Sequence, residues 1–163
     1  MARPGRNSSS ANVLNPARTF FATTNASLGR NLFQSERNAG LLVDVLRLLV
    51  AEGRFELHDF VIMPDHLHLL LTVDYGMTIE KAMQMVKGRF SYRLKKQFGF
   101  AGEVWQRGFS EVQVIGKASF DAHRRYIAEN PVKAGLAGSA EEYPYCYESL
   151  KRKKQAMRTG EAR

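Results

Sequence analysis

The sequence predicts an α+β fold, and three observations lead to it. Stretches in which apolar residues alternate at the strand period of two are interleaved with stretches at the helical period, in the order strand, helix, strand, strand, helix, strand. The second and third strands are joined so tightly through Pro64 and Asp65 that they should form a hairpin. A further helical stretch follows the fourth strand and carries Tyr126. The βαββαβ order is usually solved as a ferredoxin-like antiparallel sheet with both helices on one face and the third strand at a central position. The expected architecture is that sheet plus an additional C-terminal helix bearing the tyrosine.

Residues 1–17 are polar and Ser-rich and are expected to form a flexible N-terminal arm. The first strand, from Arg18 to Ala26, is rich in Thr and Phe. Ser35 offers a helix N-cap, and Leu41, Leu42, Val45, Leu48 and Leu49 repeat at helical spacing to a stop near Gly53. Arg54 to Met63 and Leu67 to Val73 make the hairpin. Thr78 caps a second helix whose buried stripe is Ile79, Ala82, Met83, Val86, Phe90 and Leu94. Gly99 and Gly102 mark its exit, and Glu103 to Ile115 is the fourth strand, with a kink expected at Gly108. Phe120, His123, Tyr126 and Ile127 recur through a third helix from Ser119 to Glu129. A single domain is thus expected over residues 18–150, with residues 151–163 as a basic C-terminal tail.

At 163 residues the chain can bury a sizeable core without staples. Its 44% hydrophobic and 25% charged residues are those of an ordinary globular protein. No stretch approaches the roughly 18 apolar residues needed to cross a bilayer, and the N-terminus lacks a secretory apolar run. Cys146 stands alone, which excludes an intramolecular disulfide framework or a CxxC zinc site. A cytoplasmic, nucleoid-associated protein is expected. The net charge of +8 and a pI near 9.8 favour a polyanionic partner, nucleic acid ahead of a membrane. Half of the 24 basic residues fall in residues 81–96 and in the tail.

The chemistry centres on His66 and His68. At a period of two, Leu67, Leu69, Leu71 and Val73 face the core, while His66, His68, Leu70 and Thr72 share the other face. Same-face neighbours lie about 7 Å apart along a strand, close enough for two imidazoles to converge on one metal ion. The first two helices cover the opposite face, which leaves the third free to pack over the histidines. Tyr126 and Asn130, spaced i and i+4, share one side of it. A phenol beside a divalent ion suits phosphoryl transfer with the tyrosine oxygen as nucleophile. Asn130-Pro131 also reads as an N-cap and first residue of a new short helix, and Glu129 competes with Asn130 as the oxygen donor.

MPDHLHLLL, then VWQRGF, then RRYIAENPVKAGL resemble the single-tyrosine HUH transposases, most closely the REP-associated tyrosine transposases of bacteria, over roughly residues 17 to 150. The resemblance implies His66 and His68 as the metal pair, Tyr126 as nucleophile, Asn130 as the third ligand, and Mg²⁺ or Mn²⁺ as cofactor. It implies cleavage of single-stranded DNA next to hairpins through a 5′-phosphotyrosine, by a monomer or a homodimer. Lys87, Arg89, Arg93, Arg107, Arg124 and Arg125 are the expected phosphate contacts, and Trp105, with Phe109, the expected stacking surface for an unpaired base. The competing reading is a non-catalytic protein that binds structured single strands. An RNA-binding ferredoxin-like domain fits less well, because its stacking aromatics would occupy the central strand where the histidines stand.

Overall fold

The structure is a computed structural model and describes residues 17–160. The expected N-terminal arm, Ala17 apart, and the last three residues of the expected tail lie outside the described residues. Four strands, β1 (Arg18–Asn25), β2 (Glu56–Ile62), β3 (His66–Val73) and β4 (Ser110–Val114), form one sheet in the order β2-β3-β1-β4. Every pair is antiparallel. This is the ferredoxin-like order, with β3 and β1 central.

Helices α1 (Glu36–Ala51) and α2 (Ile79–Phe98) cover one face. The Ser35 side chain accepts from the Asn38 N–H and the Thr78 side chain from the Lys81 N–H, so both predicted caps are in use. Gly99 ends α2 in the left-handed region at φ 64°. Leu67, Leu69, Leu71 and Val73 are fully buried beneath these helices. The alternation read from the sequence therefore fixes which way β3 faces.

The fourth strand is shorter than Glu103 to Ile115. Residues 103–108 run beside the end of β1, with the Ser27 N–H donating to the Val104 carbonyl and the Gln106 N–H to that of Asn25. Gly108, at φ 75°, then breaks the extended backbone, so β4 starts only at Ser110.

Four expected DNA contacts have partners within the scaffold on the helix side. Trp105 is 9% exposed and packs on Phe33 and Phe90, with its indole N–H donating to the Lys87 carbonyl, so its ring faces are not open to a base. Arg89 pairs with Glu52, and Arg93 reaches Asp44 at 2.7 Å, which ties α2 to α1. The Lys87 ammonium donates to the carbonyls of Gln106 at 3.1 Å and Gly108 at 2.7 Å and so pins the bend before β4.

The other sheet face is covered by α3 (Lys117–Lys133) and by residues 143–146. A second, smaller apolar cluster forms there from Val61, Met63, Leu70, Val114, Ile127, Tyr143 and Cys146. Helix α4 (Tyr147–Thr159) follows at the edge strand β2, where Tyr147 and Leu150 pack against the larger core. Helix α3 does not stop before the Asn130-Pro131 pair but runs through Pro131, whose ring is buried. The N-cap reading of Asn130 and the separate short helix over Val132–Leu136 are not adopted. Helix α4 likewise crosses the expected boundary at residue 150, so Lys151 to Thr159 are helical.

Replacing Trp105 with Ala should cost about 3–5 kcal/mol in urea unfolding, as for a large aromatic removed from a core. Arg89→Ala, which breaks an exposed ion pair, should cost at most about 1 kcal/mol in the same measurement.

Candidate active site

The site is built on the turn that enters β3. The Met63 N–H donates to the His66 carbonyl at 2.8 Å, the Ala26 N–H to the Asp65 carbonyl at 2.8 Å, and the Phe33 N–H to the Pro64 carbonyl at 2.9 Å. The turn is thus held from both sides, and with it the first imidazole.

His66 Nε2 and His68 Nε2 lie 3.1 Å apart. Two cis ligands of one ion, each at about 2.1 Å, would be separated by about 3.0–3.4 Å, so the pair fits a shared metal. The opposite ring nitrogens are anchored. Asp65 Oδ1 lies 2.7 Å from His66 Nδ1; a carboxylate accepts, so the hydrogen sits on Nδ1 and Nε2 presents its lone pair. Thr23 Oγ1 is 2.7 Å from His68 Nδ1, and an ion at Nε2 selects the tautomer in which this hydroxyl accepts. Burial first, and the neighbouring His66 second, push the His68 imidazolium down to about 4, so His68 is neutral at physiological pH.

Phe21 forms the floor. It stacks on His68 at 5.2 Å between ring centroids, meets Tyr126 edge-on at 5.7 Å and lies tilted against His123 at 4.8 Å. The Tyr126 ring lies 5.5 Å from the His68 ring and is 48% exposed, so the phenol sits between the imidazole pair and solvent. Asn130 follows one turn later on the same side of α3 and is partly buried. Glu129 is turned to the surface, where its carboxylate lies 3.2 Å from Lys133. Among the described residues no group of three or more His, Cys, Asp or Glu side chains gathers to hold a metal. The donors that the geometry brings together beside the phenol are thus the two imidazoles, with Asn130 on the neighbouring helix.

Of the expected basic contacts, Arg107 and Arg125 are exposed. Arg124 is engaged internally, with Nε 3.5 Å from Asp59 and Nη2 3.4 Å from Glu148. Thr23, Asp65 and Phe21 were missed as contributors. Asp65 could have been found, since it adjoins His66, but its place before a strand reads first as turn chemistry. Thr23 and Phe21 needed the register of β1 against β3, which pairs Thr23 with His68 and Phe21 with Leu70.

Residues 28–130 match the family described as Transposase IS200 like, a span that holds both histidines, Tyr126 and Asn130. The chain belongs to the IS200-like transposase family. A REP-associated tyrosine transposase of Escherichia coli K12 is similar to it, 30% identical over 97 residues that make up 56% of this chain and 53% of that protein. The chain spans about half the length of the curated relatives it matches. The solved structure of a REP-associated tyrosine transposase bound to a REP hairpin shares the fold with a TM-score of 0.71 at 22% identity, covering 90% of this chain and 82% of that one. The α+β sheet of this IS200-like chain and its order are thus those of a known transposase fold.

Because Asp65 and Thr23 orient the two imidazoles, Asp65→Ala and Thr23→Val should each weaken Mn²⁺ binding by about 10- to 100-fold in calorimetric titration, with the circular dichroism spectrum unchanged.

Proposed function

We propose that this IS200-like transposase is a divalent-metal-dependent endonuclease and strand transferase for single-stranded DNA, acting beside hairpins through a 5′-phosphotyrosine. The observation that carries the reading is the convergence of His66 and His68 at 3.1 Å with the Tyr126 ring 5.5 Å from His68. The family suggests the use of a divalent metal, and the REP hairpin in the related structure suggests the form of the DNA.

Tyr126 is the nucleophile. Its phenol oxygen forms a bond to the phosphorus as the bond from phosphorus to the 3′-oxygen breaks; the phenol proton passes to solvent and the leaving 3′-oxygen takes one up. The product holds a phosphotyrosine on the 5′ side and a free 3′-hydroxyl. Attack by another 3′-hydroxyl reverses the step and joins strands without a nucleotide cofactor, since the phosphodiester is conserved. His66, His68 and Asn130 would hold Mg²⁺ or Mn²⁺. When bound, the ion supplies positive charge at the phosphate oxygens as the transition state gathers negative charge. Imidazole donors suit Mn²⁺ at least as well as the harder Mg²⁺. Phe21 keeps the phenol against the imidazole face and excludes water from beneath it.

Arg125 and Arg107 are the proposed phosphate contacts, joined by the basic side chains of α4, of which Lys151, Arg152, Lys154 and Arg158 are exposed. The strand would cross the face that carries α3, opposite the ion pairs of Arg89 and Arg93.

Two measurements test this. Incubated with labelled single-stranded hairpins and Mn²⁺, the protein should give a covalent band on a denaturing gel that maps to Tyr126. Tyr126→Phe, His66→Ala and a chelator should each abolish the band, with Tyr126→Phe leaving hairpin affinity within about threefold; binding without any adduct would instead establish a non-catalytic binding protein. Arg125→Ala should lower the slope of log affinity against log salt by about one, and Arg93→Ala should leave it unchanged.

A further inference from the structure

Helix α3 carries the phenol yet is weakly anchored. Of its 17 residues only Ile127 and Pro131 are buried, against eight in α1 and six in α2. Partly buried Phe120 and the ring contacts of Phe21 with His123 and Tyr126 supply the rest of its apolar hold. A polar arrangement that the catalytic reading does not use adds to it.

Asp59 sits at the β-bulge of β2, where the register against β3 slips between Leu57 and Asp59. Asp59 is 5% exposed, and its carboxylate accepts from the Phe60 N–H at 2.9 Å and lies 3.5 Å from Arg124 Nε on α3. Arg124 Nη2 in turn lies 3.4 Å from Glu148 on α4. Glu148 is fixed to the same strand as Asp59. The Ile62 N–H donates to the Tyr145 carbonyl at 2.9 Å, the Tyr143 hydroxyl donates to the Ile62 carbonyl at 2.6 Å, and Cys146 bridges to Val61. Arg124 and Tyr126 are about 200° apart around the helix, so a grip on one determines where the other points.

We propose that Asp59, Arg124 and Glu148 form a clamp that sets the rotation of α3, which makes them positioning residues for attack by Tyr126. The inference rests on the strand-transfer reading above.

Burial pushes the Asp59 carboxyl up to about 6, against the opposing pull of the Phe60 N–H and Arg124. The charged and titratable groups facing it are Arg124 from α3, Glu148 from α4 and the Cys146 thiol; Ile127, Ala128, Pro131 and Ala140 complete an apolar wall. The folded state holds this proton more tightly than the unfolded chain, so the stability Asp59 contributes is greatest below pH 4 and declines as pH rises through 6. Near neutral pH its charge works against the fold. A charge retained at that cost is accounted for by what it aims.

The test measures single-turnover formation of the Tyr126 adduct with Mn²⁺ and labelled single-stranded hairpins, together with hairpin affinity, melting temperature and hydrogen exchange. Asp59→Asn should slow adduct formation by about tenfold or more, since small misplacements of a nucleophile are costly. Affinity should stay within twofold, and the variant should melt no lower than the parent, with its advantage growing from pH 4.5 to pH 7. Arg124→Gln should slow the step equally, Arg124→Lys should recover part of the rate, and the double variant should be no slower than either single one. Adduct formation by Asp59→Asn at the parental rate, or a loss explained by a lower melting temperature, would overturn the clamp. If the parent forms no adduct, the strand-transfer reading fails and exchange decides the clamp: faster exchange confined to residues 117–133 in Asp59→Asn supports it, and unchanged exchange removes it.

Discussion

Two imidazole nitrogens held 3.1 Å apart on a central strand are the constraint around which this molecule is arranged. They can stay there because β3 cannot slip. Its alternate residues Leu67, Leu69, Leu71 and Val73 are fully buried, and a shift of one residue would exchange the apolar set with the polar one. The hydrogen bonds of β1 on one side and β2 on the other then fix the strand laterally. Asp65 and Thr23 orient the rings on that platform, and each comes from an element already fixed by the sheet.

The second half of the site follows a different logic. Helix α3 lies across the sheet with little apolar surface beneath it, and Pro131 removes one of its internal hydrogen bonds because a proline has no N–H to donate. The buried ring and the bonds from Ala134 to the Asn130 carbonyl and from Leu136 to the Pro131 carbonyl let the helix run on to Lys133 despite that loss. The rigid part of the molecule thus holds the imidazole donors, and the less firmly packed part carries the phenol.

Much of this was legible in the chain. The faces of β3, the caps at Ser35 and Thr78 and the break at Gly108 follow from short-range patterns, because period and capping chemistry are local, and the placement of α3 over the histidines follows from the βαββαβ order. The partners of Arg89, Arg93 and Trp105 were not legible for the opposite reason: a basic stripe or an aromatic near a glycine carries no mark of its partner. Glu52 and Asp44 are 37 and 49 positions away from the arginines they meet. Helix α4 was missed because Cys146 gives no side-chain cap and few of its residues are buried, so neither a start signal nor an apolar stripe announces it. The continuation of α3 through Pro131 was hidden by a local signal that was real but overruled by packing.

The order of these parts along the chain has a temporal meaning. All four strands are complete by Val114, whereas the segment that ties Glu148 to Ile62 lies between Tyr143 and Glu148. As the chain leaves the ribosome, the sheet and its pair of imidazoles can form first, while the tyrosine helix has Asp59 to meet Arg124 and still lacks Glu148. Synthesis would then separate the pairing of the imidazoles from the placement of the phenol. A nascent chain would carry the paired imidazoles before the helix of Tyr126 was gripped from both sides, and that grip would be complete only once residues 143–148 had folded back onto β2.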